Sequence, residues 1–292
     1  MSAKALIIGS NGQDGHYLSK VCISKGIVPI TLSRSNSMIN ASVSDYSSME
    51  SILKRIKPDF IFHFAAISST SHEYLIDNFN AITLGTVNIL EIVRKMKLNT
   101  KIFITGSGVQ FANYGKPILE TDNFEVRDAY SMARIQSVYA ARYFRILGLR
   151  VYVGYLFHHE SPLRKPNHVS QKIVNAVQHL KKGDLVPLEL HNIDVMKEWT
   201  FAGDVAKGIF TLVNQDDVFE CVIGSGKCYS IREWLDICYS SIDENWREYV
   251  KYNNDLIPEY EILVSNPKTI NSLGWFPEVS IEELASMMIS TI

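Results

Sequence analysis

Three glycines at a spacing of three, Gly9, Gly12 and Gly15, stand between a short apolar run and the start of a helical pattern. The run Ala5–Ile8 is strand-like, and beyond the glycines Tyr17, Leu18, Val21 and Cys22 share one side of a helix. A buried strand, a tight turn and a helix N-terminus in that order form a cradle for a dinucleotide. The turn can bend sharply, and a pyrophosphate can reach its N–H groups with no Cβ in the way. A glycine triplet alone is a weak signal, and the alternative is a turn with no ligand. The flanking strand and helix are the context that favours the cradle. Gly9, Asn11, Gly12, Gln13, Asp14 and Gly15 are the candidate cofactor contacts.

The alternation continues. Val28–Leu32, Phe60–Phe64, Lys101–Thr105 and Arg150–Phe157 read as strands, with helical patterns between them that include Asn80–Lys95 and a helix from Ala129 to Leu147. Over roughly the first 155 residues this predicts an α/β fold, a doubly wound parallel sheet with helices on both faces. The expected division is a dinucleotide-binding domain over 1–160 and a smaller mixed lobe for substrate over 161–292, the two interwoven. Hydrophobic content of 46% and charged content of 21% are those of an ordinary globular protein. A net charge of −2 gives no reason to expect nucleic acid or an anionic membrane. No apolar run approaches membrane-spanning length and no leader pattern opens the chain, so a cytoplasmic location is expected. Cys22, Cys221, Cys228 and Cys238 show no C-x-x-C spacing, which argues against zinc or a redox pair.

Further stretches carry chemistry. Ser33-Arg34-Ser35 ends the second strand, where an acid would accept hydrogen bonds from a ribose 2′-hydroxyl. An arginine between serines suits a 2′-phosphate, so NADP is expected, with NAD as the alternative. Ala65-Ala66 follows the third strand, where small residues let a cofactor pass close by. Tyr130 and Arg134 lie one helical turn apart on the same face. A cation beside a phenol favours the form that accepts a proton, which suits acid/base work. Ser47-Ser-Met-Glu50 reads as a capping box and Asp204 as a helix N-cap.

The G-x-x-G-x-x-G spacing resembles the extended short-chain dehydrogenases/reductases. Gln13–Leu18 and Leu156–Arg164 are similar to segments of its GDP-mannose 4,6-dehydratase family, the second to L-F-N-H-E-S-P-R-R. The resemblance covers the chain apart from a poorly matched stretch at 240–262. It implies that Ser107 polarises the sugar 4-position, that Tyr130 and its cation are catalytic, and that the cation contacts the nicotinamide ribose. It also implies that His158, Glu160, Arg164, Lys172 and Lys197 lie at a nucleotide-sugar site, with a GDP-sugar favoured; no third ligand has suitable spacing beside His158 and His159, so no metal is expected. A homodimer is implied, with Tyr139, Tyr143 and Phe144 as added apolar surface.

Three departures stand out. Arg134 replaces the lysine of Tyr-x-x-x-Lys, Ile82 replaces a polar residue, and Val109 replaces the glutamate that moves the C5 proton in a dehydratase. The leading expectation is therefore hydride transfer at C4 of a GDP-sugar by a ketoreductase. The alternatives are a full 4,6-dehydratase, with Glu120 or Glu160 swinging in as the acid, and a non-catalytic binding paralogue.

Overall fold

The computed structural model describes residues 2–253 and 258–290. The chain runs β1 (Lys4–Ile8), α1 (Gln13–Ser24), β2 (Val28–Ser33), β3 (Ile39–Asn40), α2 (Tyr46–Ile56), β4 (Phe60–His63), α3 (Leu75–Asn78), α4 (Gly85–Lys95), β5 (Lys101–Ser107), α5 (Ala129–Ile146) and β6 (Arg150–Leu156). It continues through β7 (His159–Glu160), α6 (Val169–Lys181), β8 (Leu188–Leu190), β9 (Met196–Glu198), β10 (Thr200–Phe201), α7 (Ala202–Val213), β11 (Glu220–Ile223), β12 (Cys228–Ser230), α8 (Ile231–Ser240), β13 (Val250–Tyr252), β14 (Ile262–Leu263), α9 (Lys268–Ser272) and α10 (Ile281–Ser290).

Seven strands form one sheet in the order β11-β6-β5-β4-β1-β2-β3, with every pairing parallel. This is the doubly wound α/β architecture that the alternating pattern predicts. The central strands are apolar on both sides because helices cover both faces. Leu6, Ile8, Ile61, Ile102 and Val151 pack into the core under α2, α4 and α5. Ala5, Ile7, Phe62, Phe103 and Tyr152 pack into the core under α1 and α7. A third core lies in the smaller lobe, where Trp199 and Trp234 stack at 4.7 Å between α6, α8 and α10. Small sheets stand there, one with order β12-β9-β14. No described helix is long and apolar enough to cross a membrane.

Local expectations differ in five places. Asp45, not Ser47, caps α2: its carboxylate accepts the Ser48 N–H at 3.1 Å, and a carboxylate is a strong partner for that helix end. Asp204 lies inside α7 and accepts the Glu278 and Val279 N–H groups at 2.8 and 2.9 Å, so it ties down the approach to α10 instead of capping its own helix. The helix expected from Asn80 begins at Leu75 and runs through a π-type segment, Phe79–Leu84, before α4. Leu185–Leu190 also reads as a strand from its sequence, yet only Leu188–Leu190 forms one, after Pro187, which has no N–H to give a ladder. Phe144 is buried in the core, whereas Tyr139 and Tyr143 on the same helix are exposed.

Candidate active site

The glycine turn closes as the spacing demands. Gly9 has φ +85°, and a Cβ there would lie 2.6 Å from the Ala65 nitrogen. A Cβ on Gly15 would lie 2.6 Å from the Ser10 Cα, so α1 can approach the turn only through glycine. Gly12 is different: it is the N-cap of α1, in extended backbone, and the nearest atom to an added Cβ is 3.6 Å away. That open space at a helix N-terminus is the cradle a phosphate would occupy, so the residues fit a dinucleotide. The loop after β2 is laced to this turn. Asn11 Nδ2 donates to the Ser35 carbonyl at 2.6 Å, and Ser10 and Ser37 hydroxyls meet at 2.9 Å. Arg34 is exposed on that loop. Asp45, just before α2, spends its carboxylate on the cap of that helix.

Gln13 and Asp14 sit in the turn, but their side chains face the segment that follows β6. Gln13 Nε2 donates to the His159 carbonyl at 3.1 Å, and Gln13 Oε1 accepts from the Ser161 hydroxyl at 2.8 Å. Asp14 lies 2.7 Å from His159 Nε2. The other ring nitrogen of His159 is 2.7 Å from the Phe157 carbonyl. The carbonyl only accepts, so a proton must lie between His159 Nε2 and the Asp14 carboxylate. Burial works against its charge, yet Asp14 raises its pKa overall. Burial alone would raise Asp14, but His159 holds it below the usual carboxylate range. These contacts staple the glycine turn to the 157–161 segment.

At the carboxyl end of β5, Ser107 caps a short 3-10 turn, Gly108–Gln110. Gln110 is buried, and its Oε1 accepts the Ser107 N–H at 2.9 Å. Val109 is partly buried against the core. Tyr130 is in the first turn of α5, behind the Asp128 cap. The Arg134 guanidinium stands 5.0 Å from the Tyr130 ring centroid. Arg134 is 4% exposed, and its Nη1 donates to the Thr105 carbonyl at 2.6 Å. Its Nε is buried without a hydrogen-bond partner among the described residues. Hydroxyl, phenol and cation are thus assembled at one strand end, and Ala65 and Ala66, both partly buried, follow the neighbouring β4. His63, at the end of β4, is buried, and burial together with Arg134 pushes it down to about 3.

The third group lies after β6. Glu160 is fully buried, 3.0 Å from His158 Nε2 and 3.1 Å from Arg164 Nε, in contacts that lack hydrogen-bond alignment. His158 Nδ1 is 2.8 Å from the Glu198 carbonyl, so one proton must lie between His158 and Glu160, whose facing atoms otherwise only accept. Burial opposes ionisation of Glu160, but Arg164 and His158 hold it down at about 2. Lys197 is pushed down to about 8 by burial and by Arg164, against the pull of Glu160, and its ammonium stands 4.9 Å from the Trp199 ring centroid. Glu160 thus serves as the counter-ion that holds Arg164 and His158. Lys172 is exposed on α6, while the neighbouring Gln171 is the buried one. The adjacent histidines serve two different acids. Glu120 is also committed: it accepts the Val222 N–H at 3.3 Å and the Thr269 hydroxyl.

Two cavity residues had no sequence signal. A cavity of about 170 Å³ beside Val109 is also lined by Gly108, Asp128, Glu259 and Tyr260. Glu259 and Tyr260 fall in the stretch that matches the family poorly, so neither motif nor spacing could find them.

Comparison with known proteins covers the same span. A family model described as GDP-mannose 4,6 dehydratase matches residues 6–288. GDP-mannose 4,6 dehydratase 1 of Arabidopsis thaliana is 29% identical over 318 residues, covering 98% of this chain and 88% of that protein. The structure of dTDP-glucose 4,6-dehydratase from Bacillus anthracis in complex with NAD superposes with a TM-score of 0.85 at 16% identity, covering 99% of this chain and 96% of that one. The structure of RMD from Pseudomonas aeruginosa complexed with NADPH gives 0.86 at 19% identity, covering 99% and 97%. At these identities the solved structures show a shared fold.

Proposed function

The chain belongs to the GDP-mannose 4,6-dehydratase family, and on that premise we propose that it converts a GDP-hexose into the 4-keto-6-deoxy sugar. The observation that carries this reading is the assembly at the end of β5, where Tyr130 lies beside Arg134 and Arg134 is bonded to the strand that ends in Ser107. The glycine turn would hold the pyrophosphate, Arg34 the 2′-phosphate of NADP, and Arg134 the ribose next to Tyr130. When bound, the nicotinamide supplies the hydride acceptor for C4 and the hydride donor for C6. Ser107 holds the C4 oxygen and the Tyr130 phenolate, stabilised by the Arg134 charge, takes its proton and becomes the neutral phenol. Arg164 and Lys197, with one carboxylate between them, leave an excess of positive charge suited to a diphosphate. A homodimer through α4 and α5 and a cytoplasmic location complete the proposal. Exposed Val87, Tyr139, Tyr143 and Ile146 on those helices support the first.

Incubating the protein with GDP-mannose and catalytic NADP and identifying the product by NMR tests the proposal. A 4-keto-6-deoxy product with no net cofactor consumed is expected, and unchanged GDP-mannose would refute it. Val109 favours a second reading, a 4-ketoreductase, because a valine cannot move the C5 proton. Oxidation of NADPH by a GDP-4-keto-6-deoxy sugar, without dehydration of GDP-mannose, would select that reading.

A further inference from the structure

Elimination across C5 and C6 needs one group that accepts the C5 proton and returns a proton to the departing C6 oxygen. The carboxylates near the site in sequence are committed. Asp128 caps α5 through the Ser131 N–H at 2.7 Å, Glu160 is enclosed with Arg164 and His158, and Glu120 is held at the β11 edge of the sheet. Glu259 is placed differently. It comes from the smaller lobe, yet it lines the same cavity as Val109 and Gly108. Its Oε1 accepts the Thr70 hydroxyl at 2.9 Å, and Thr70 lies on the loop that follows Ala65-Ala66. The chain just after it is anchored on both sides: the Glu261 carbonyl accepts the Met196 N–H at 2.8 Å, and the Ile262 carbonyl accepts Asn113 Nδ2 at 2.7 Å. The side chain is exposed.

We propose that Glu259 performs the proton transfers that Val109 cannot, acting across the cavity from the opposite lobe; this rests on the dehydratase reading above. Glu259 removes the proton on C5 of the 4-keto sugar. The C5–H electron pair forms the C5=C6 bond, the C6–O bond breaks with its pair on oxygen, and that oxygen takes the proton from Glu259 and leaves as water. The elimination is redox-neutral.

The test separates this step from hydride transfer. GDP-4-keto-6-deoxymannose is incubated in D₂O with the protein and NADP, and loss of the C5 proton signal is followed by NMR. The wild type is expected to accelerate the exchange over a protein-free control. Glu259→Gln should slow it by about 10²- to 10⁴-fold, with an unchanged circular dichroism spectrum. Val109→Glu added to Glu259→Gln should recover part of the rate. With GDP-mannose, Glu259→Gln should still oxidise C4, read as nicotinamide absorbance that persists instead of cycling. Exchange by Glu259→Gln at the wild-type rate would overturn the role of Glu259 while a wild-type dehydration product kept the dehydratase reading intact. A wild type that neither exchanges C5 nor oxidises C4 would remove both.

Discussion

Gly9 and Gly12 are three residues apart in one turn, yet alanine should act on them in opposite ways. At Gly12 the backbone is extended (φ −86°, ψ 166°), which any residue adopts, and an added Cβ meets nothing closer than 3.6 Å. Fewer unfolded conformations should then stabilise Gly12→Ala by about 0.4–1 kcal/mol. Alanine is a poorer N-cap than glycine, by roughly 0.5–1 kcal/mol. The two nearly cancel, so stability without cofactor should change by less than about 1 kcal/mol. The methyl group, however, fills the space left for the pyrophosphate. At a hundred times its dissociation constant the cofactor should stabilise the wild type by about 2.7 kcal/mol; a hundredfold weaker affinity leaves about 0.4 kcal/mol. Gly9→Ala places a Cβ 2.6 Å from the Ala65 nitrogen at φ +85°, and left-handed backbone alone costs roughly 1–2 kcal/mol. That variant should lose at least about 2 kcal/mol before any cofactor is added. Urea unfolding with and without NADP reads both quantities. A Gly12→Ala protein of normal stability that keeps the full cofactor shift would refute a pyrophosphate at this turn.

Four further outcomes are expected. Arg34→Ala should weaken NADP by roughly 10- to 100-fold, the worth of a charged hydrogen bond, and leave NAD unchanged; equal losses for both would place Arg34 away from the 2′-phosphate. Tyr130→Phe should lower turnover by about 10²- to 10⁴-fold, Arg134→Met nearly as much, and Arg134→Lys far less; turnover that survives Tyr130→Phe would remove Tyr130 from the mechanism. The Asp14–His159 pair should contribute fully between the ordinary values of 3.8 and 6.5. It is lost as pH rises through the raised His159 value and as pH falls through the lowered Asp14 value. The stability gap between wild type and His159→Gln, measured by urea unfolding across pH, should therefore narrow on the alkaline side, and a constant gap would contradict it. Light scattering at micromolar concentration should return a dimer mass that Ile146→Asp reduces, since Ile146 is 84% exposed on α5; a monomeric wild type would count against the interface.

The fold was legible because its signals are local and periodic. Apolar runs, helical faces and the glycine turn each declare themselves within a dozen residues. The place of Ser107 at a strand end was legible because a parallel sheet puts such ends on one side, and the pairing of Tyr130 with Arg134 because residues four apart share a helix face. What escaped depends on partners distant in sequence. Gln13 and Asp14 read as cofactor contacts because they sit in the turn, but their partners His159 and Ser161 are over 140 residues away. Glu160 read as a ligand contact because it lies in a specific motif, and only burial reveals it as a counter-ion. Glu259 follows no pattern, since its position comes from the β14 anchorage and the Thr70 hydroxyl.

The seventh strand of the sheet bears on how the chain is made. β11 pairs with β6 along Val153–Leu156, and β6 leaves the ribosome some 70 residues earlier. During that interval β6 presents an unpaired apolar edge beside β5, a template for strands of other nascent chains. Slower synthesis between the emergence of β6 and the emergence of β11 lengthens that exposure and should raise the aggregated fraction.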